Sequence, residues 1–387
     1  MSEPTKHPTW GSLAERYETA RPQRKLLALD GGGIRGIITL EILLALENQI
    51  KQKLGSGDGF RLSDYFDYIA GTSTGAIIAA GLSLGMSVQE LLDFYVTKGE
   101  AMFDKAFLAN MGKNFYTDKK LVRELETTFG NGTDLFLDKN KFRTLLLIVT
   151  MNRTTDSPWP ISNNPLAKYN EPNRPDCNLK IRLSQLVRAS TAAPVYFPPE
   201  RLQWDPDDPK KTFVFVDGGM TPYNNPAFLL FRMATHPAYK LAWKTGEDRL
   251  LLVSVGTGSS ASPGAYGNIA DTLKSLPDNL MYSSLIEQDV NCRTFGCCAY
   301  GAEIDREIGD LVLPEEAIAN EDREKRLFRY VRYNVDLSQE GLNTLKLNHI
   351  HSADVRKMDS VDFLDQLREV GKMAANQVKI AHLGKFV

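Results

Sequence analysis

Cysteine is scarce, with four residues in 387 and two of them adjacent, Cys297 and Cys298. That excludes a disulfide framework and points to a reducing compartment. Histidine is scarce too. His7, His236, His349, His351 and His382 are scattered, and none closes a convincing apolar strand, so a Ser-His-Asp triad has no obvious histidine. His349 and His351 form an H-x-H pair without a third ligand nearby, so neither a metal nor any other cofactor is expected. Excess positive charge is missing: 46 Lys+Arg stand against 48 Asp+Glu, a formal charge of −2. Bulk electrostatics therefore offers little to a nucleic-acid polymer or an anionic surface. No run approaches the about 20 apolar residues of a membrane-spanning helix, and the most apolar window covers only 76–86. The opening MSEPTKHPTWGSLAERYE is polar with no leader-like core, so the expected location is cytoplasmic. Neither a P-loop nor a calcium loop is present, since the acidic run 205–208 lacks the glycine turn.

What is present is alternation. The runs KLLALD (Lys25 to Asp30), YIAG (Tyr68 to Gly71), RTLLLIVTMN (Arg143 to Asn152), TFVFVDGG and LLLVSVGTG are short and apolar, of the kind buried in a parallel sheet. Helical patterns separate them. Leu43, Leu46, Ile50 and Leu54 recur at helical spacing, and Ser87 with Glu90 forms a capping box. Strand–helix alternation predicts an α/β fold with a mainly parallel central sheet. The stretch 155–178, with five prolines, has no periodicity and is expected to form a lid or edge loop, its Trp159, Ile161 and Leu166 facing a lipid surface. LFRYVRYNV (Leu327 to Val335) reads as a strand and 361–379 as an amphipathic helix. The charge-alternating run 322–332 reads as a solvated surface.

Three glycine-marked turns follow three of these strands. The first, Gly31-Gly32-Gly33-Ile34-Arg35-Gly36 after Asp30, matches G-x-G-x-x-G. It reads either as a dinucleotide fingerprint or as backbone N–H donors for an oxyanion. The second, Gly71-Thr72-Ser73-Thr74-Gly75, matches the nucleophile elbow G-x-S-x-G. The third, Asp217-Gly218-Gly219, puts a carboxylate at a strand end. Together they suggest acyl chemistry: Ser73 attacks, the Gly31–Gly33 turn holds the oxyanion, Arg35 adds positive charge or is simply a solvated helix-terminal arginine, and Asp217 takes the proton directly. The dinucleotide reading fits poorly. The acidic residue expected about 20 positions on falls in the glycine-rich loop GSGDG, at Asp58, before any strand. A Ser-His-Asp esterase and a catalytically dead binding protein on the same fold remain as rivals.

The strings DGGGIRG, DYFDYIAGTSTG, RASTAAPVYFPP (Arg188 to Pro199), DGG and VSVGTG, in this order, resemble the patatin-like phospholipases. The resemblance runs from Lys25 to Gly258, about 60% of the chain. It implies a three-layer α/β/α fold and metal-free hydrolysis of the fatty-acyl esters of membrane lipids by a Ser-Asp dyad, during transient contact with the membrane. By motif, Ser73 matches the nucleophile, Asp217 the base, and Gly31, Gly32, Gly33 and Arg35 the oxyanion hole. It also implies a catalytic core over 25–260 between an N-terminal extension, 1–24, and a C-terminal part, 261–387, packed on the core. Some bacterial members are gated by cyclic-nucleotide second messengers in antiphage defence. If this chain is, the small-molecule activator is expected to bind the C-terminal part. The oligomeric state stays open, a homodimer included.

Overall fold

The computed structural model describes residues 9–18, 20–103, 125–130, 140–194, 197–259, 269–304, 306–313 and 317–387. Among the described residues, nine strands form one sheet: β1 (Arg24–Leu29), β2 (Tyr68–Thr72), β3 (Leu145–Asn152), β4 (Ser157–Ser162), β5 (Glu200–Gln203), β6 (Thr212–Asp217), β7 (Leu250–Val255), β8 (Cys297–Tyr300) and β9 (Arg329–Tyr333). Their order is β5-β6-β3-β2-β1-β7-β9-β8, with β4 paired to β3. The six from β3 to β8 in that order run parallel. Every residue of β2 and β7 is buried, which requires cover on both faces of the sheet.

Helices α1 (Gly36–Leu54), α2 (Thr74–Ser83), α3 (Val88–Phe103), α4 (Leu183–Ser190), α5 (Ala227–Thr235), α6 (Ile269–Phe295) and α7 (Leu364–Ala375) supply that cover. Helix α1 packs on α3 and α7, while α5 packs on β1, β7 and α6. The α/β architecture with a mainly parallel sheet is the one expected. Leu43, Leu46 and Ile50 face the core, and Leu54 ends exposed. The capping box at Ser87 and Glu90 forms as read.

Two expectations fail. The stretch 155–178 is not a free lid, because it contains β4, which pairs with β3 from Leu147 to Asn152. Ile161 is buried, Leu166 packs against the core, and Trp159 packs against Trp204, Phe213 and Phe215. The prolines do not prevent this pairing, since among the described residues β4 pairs with β3 alone and a missing N–H on its other side leaves no ladder bond unmade. The run 322–332 is not wholly a solvated surface either. Its end is β9, which pairs with β7 and buries Arg332.

Strand β6 runs antiparallel to β3, and only its last three residues pair with it: Asp217 lies opposite Thr150, Val216 opposite Met151 and Phe215 opposite Asn152. Because β4 occupies the other edge of β3, β6 lies on the same edge as β2. The two strands therefore meet end to end. Strand β2 stops at Thr72, opposite Val149, and β6 arrives from the other direction to stop opposite the next residue.

Candidate active site

That head-on meeting brings Ser73, one residue beyond β2, against Asp217. Ser73 Oγ donates to Asp217 Oδ2 at 2.6 Å, and both residues are buried, Ser73 at 8% exposure and Asp217 at 5%. Ser73 has φ 54° and ψ −123°, a conformation that costs a non-glycine residue about 1–3 kcal/mol. The neighbouring glycines make the turn feasible. A Cβ on Gly71 would lie 2.0 Å from Gly75 O, and one on Gly75 would lie 2.3 Å from Leu29 O. The Ser73 N–H donates to Ser190 Oγ, which in turn donates to Val149 O. Ser190 lies within the string RASTAAPVYFPP, a sign in the sequence that no generic motif ties to the site.

Asp217 Oδ1 accepts from Gly219 N at 2.7 Å, which fixes the carboxylate plane. Gly218 passes so close to β3 that a Cβ would sit 2.2 Å from Val149 O. Burial pushes the Asp217 carboxyl up to about 6, against the lowering effect of the Ser73 and Gly219 hydrogen bonds and the Arg188 charge. A carboxylate with that basicity, hydrogen-bonded to a hydroxyl, can accept its proton near neutral pH.

The glycine turn after β1 stands beside this pair: a Cβ on Gly31 would be 3.2 Å from Ser73 Cβ. Gly31 differs from expectation as a donor, because its N–H is taken by Asn224 O at 3.1 Å. No backbone oxygen among the described residues accepts from Gly32 or Gly33. The Ile34 N–H donates to Met358 O. Arg35 turns its guanidinium to the carbonyls of Gly32 and Arg356, so it braces the turn rather than lining the cleft. Added Cβ atoms on the three glycines would meet Asn224, Thr257 and Met358 at 2.1–2.3 Å. The turn is thus held closely against protein on the side where a Cβ would project.

A cleft opens over Ser73, Asp217 and Gly33. Phe103, Pro194, Phe197, Met220, Met281 and Met358 form its apolar walls, and Asp359 lies at one side. An apolar cleft with a few convergent polar groups is the usual form of a small-molecule site. Four of the five histidines lie elsewhere. His236 caps a turn, His382 contacts Tyr333, His349 contacts Glu369 at 3.1 Å, and His351 is exposed. His7 falls outside the described residues. Among the described residues no group of three or more His, Cys, Asp or Glu side chains is placed to hold a metal ion, and no helix is long and apolar enough to cross a membrane.

A strained serine between strand and helix, a buried aspartate and an adjacent glycine turn define a hydrolase-like α/β site. The family model for patatin-like phospholipase matches residues 27–231, and the chain belongs to that family of lipid-hydrolysing enzymes. The chain is 31% identical over 277 residues to the "cGAMP-activated phospholipase" of Vibrio cholerae, covering 65% of this chain and 72% of that protein. It is 30% identical over 249 residues to Patatin group J-1 of Solanum tuberosum, covering 61% of each. The match therefore spans less than two thirds of the plant protein. Among solved structures, human GIVD cytosolic phospholipase A2 superposes with a TM-score of 0.46 at 12% identity, over 96% of this chain and 61% of that one.

Proposed function

We propose that the protein hydrolyses fatty-acyl esters of membrane phospholipids. In this reading Ser73 is the nucleophile and Asp217 the general base. The N–H groups of Gly32 and Gly33 hold the oxyanion. The single observation that carries it is the 2.6 Å Ser73–Asp217 hydrogen bond at the floor of an apolar cleft. In the forward step Asp217 accepts the hydroxyl proton as Ser73 Oγ bonds to the acyl carbon. The tetrahedral intermediate then expels the alcohol, which regains that proton. Water repeats the sequence on the acyl-enzyme and releases the fatty acid. The test is a panel of lipids assayed with wild type and Ser73→Ala, with a fluorophosphonate probe mapped by peptide mass. Ser73 should be the labelled residue, and its loss should abolish both labelling and turnover. Labelling elsewhere, with Ser73→Ala fully active, refutes the mechanism.

Control by a cyclic dinucleotide is a second, finer part of the reading. It draws on the name of the Vibrio cholerae relative and on one feature of this chain: Met358 and Asp359, from the C-terminal part, line the cleft. In this reading, residues 25–260 are the catalytic core, 261–387 carry the control, and the protein works in the cytoplasm with transient contact at the membrane. Turnover measured with and without cyclic dinucleotides decides it, and equal rates refute gating.

A further inference from the structure

The C-terminal part also reaches the site from beneath. Arg332 on β9 is 2% exposed. Its guanidinium forms a two-pronged ion pair with Asp30, Nη1 to Oδ1 at 2.9 Å and Nη2 to Oδ2 at 2.5 Å. Arg332 lies opposite Ser254 of β7, and Ser254 lies opposite Ala28 of β1. Its side chain therefore crosses under a whole strand, two inter-strand spacings of about 4.8 Å each. On the way Nη1 donates to Ser254 Oγ at 2.7 Å, and Ser254 Oγ donates to Asn225 Oδ1 at 3.2 Å. The next residue back, Asn224, accepts from Gly31 N. The chain of contacts thus begins at Asp30 and returns to the residue after it.

Asp30 is 0% exposed and immediately precedes the glycine turn. Besides Arg332, the charged groups acting on it are Asp289 from α6 and Arg35 from the turn. Asp289 is itself paired with Arg293, and Arg35 is engaged by backbone carbonyls. Among the described residues Asp30 therefore has one direct counter-ion, Arg332. Burial pushes the Asp30 carboxyl up and the Arg332 charge pulls it back down, so an oxyanion forming at the turn would feel whatever carboxylate charge Arg332 did not balance. Two like charges a few ångströms apart at an effective dielectric of about 20 interact strongly enough to slow a reaction by about two orders of magnitude.

We infer that Arg332 is a positioning residue for this reaction, which neutralises Asp30 so that the Gly32–Gly33 turn receives the oxyanion without an opposing buried charge. The inference rests on the reading of that turn as the oxyanion hole. Arg332 lies outside residues 27–231 matched by the family model, so the core depends electrostatically on a strand beyond the family's own segment.

The experiment compares Arg332→Met, Asp30→Asn, the double variant and Arg332→Lys in the full chain. It reads kcat, KM and melting temperature on one lipid ester. Charge balance predicts that Arg332→Met loses about a hundredfold in kcat with KM within about threefold. Asp30→Asn, which leaves an extra cation, should retain at least tenfold more kcat than Arg332→Met. The double variant should recover at least tenfold over Arg332→Met. A purely structural pair predicts equal losses in both single variants, following their melting temperatures, and that result overturns the inference. So does a folded Arg332→Met with kcat within threefold of wild type. If Arg332→Met does not fold, Arg332→Lys decides. It keeps the charge but loses the fork, so kcat within about tenfold of wild type supports charge balance and a larger loss in the folded variant overturns it. A wild type without Ser73-dependent turnover overturns the functional reading and this inference together, whereas an active, Ser73-dependent wild type with an indifferent Arg332→Met overturns this inference alone.

Discussion

Thr72 and Asp217 occupy consecutive places on one edge of β3, Thr72 opposite Val149 and Asp217 opposite Thr150. Two strands running in opposite directions end against each other there, and the serine after one meets the carboxylate closing the other. The backbone ladder sets this contact, with no long side chain bridging a gap. Asp217→Asn preserves the shape and the ladder but removes the proton acceptor. Turnover should fall by at least about a thousandfold, general-base contributions and the misplaced donor acting together, with unchanged circular dichroism. His236→Gln, His349→Gln, His351→Gln and His382→Gln should each stay within about tenfold. A histidine variant as inactive as Asp217→Asn would replace the dyad with a triad.

The elbow stores strain that activity requires. Ser73→Gly relaxes the φ of 54° and should raise stability in urea melts by about 1 kcal/mol while abolishing turnover. Gly75→Ala acts in the opposite direction. Its methyl group would lie 2.3 Å from Leu29 O, a backbone atom of a central strand that has little freedom to move. A loss of about 1–3 kcal/mol is expected. A Gly75→Ala protein as stable as wild type would show that the helix shifts freely at this point.

The glycine turn should bind no dinucleotide, because Asp58, the acidic residue about 20 positions on, lies in a loop and not at a strand end. Titration calorimetry with NAD and FAD should give no heat beyond dilution, and micromolar binding of either would revive the nucleotide reading. Gly33→Ala places a methyl 2.1 Å from Met358 O, at a φ of 61°. It should displace one oxyanion donor and lower kcat by about 10²–10³-fold with a smaller change in KM.

The parallel sheet and the three turns are legible because each is encoded locally: apolar runs of strand length, glycines where a Cβ would collide with backbone, a serine between them. The direction of β6 is not, since TFVFVD carries no mark of whether its neighbour runs with it or against it, and its partners on β3 lie about 65 residues earlier. The edge strand β4 is hidden by its prolines. Arg332 looks like one charge in an alternating surface run, and only the register β1–β7–β9 shows that its side chain reaches Asp30. The same limit applies to Gly31, where a motif shows that an N–H exists but not that Asn224 already accepts from it.

The raised carboxyl of Asp217 gives rate and stability opposite pH dependences. Its folded-state value of about 6 lies above the about 3.9 of an unfolded aspartate. The folded protein therefore holds this proton more tightly, and the stability from this group is fully present below about pH 4 and lost as pH rises through about 6. Turnover needs the deprotonated base, so kcat/KM should fall tenfold per pH unit once pH drops below about 6. Asp217→Asn removes the ionisation altogether. At pH 8 the variant should be more stable than wild type by up to about 3 kcal/mol, the product of about two pKa units and about 1.4 kcal/mol per unit. At pH 5, about midway between the two values, about half of that difference should remain, and it should vanish only below about pH 4. Urea melts of both proteins at the two pH values, with the pH–rate profile of wild type, check the pair of signs. An Asp217→Asn protein less stable than wild type at pH 8, or a rate limb near pH 4, would mean that the Ser73 and Gly219 hydrogen bonds outweigh burial in setting the charge of Asp217.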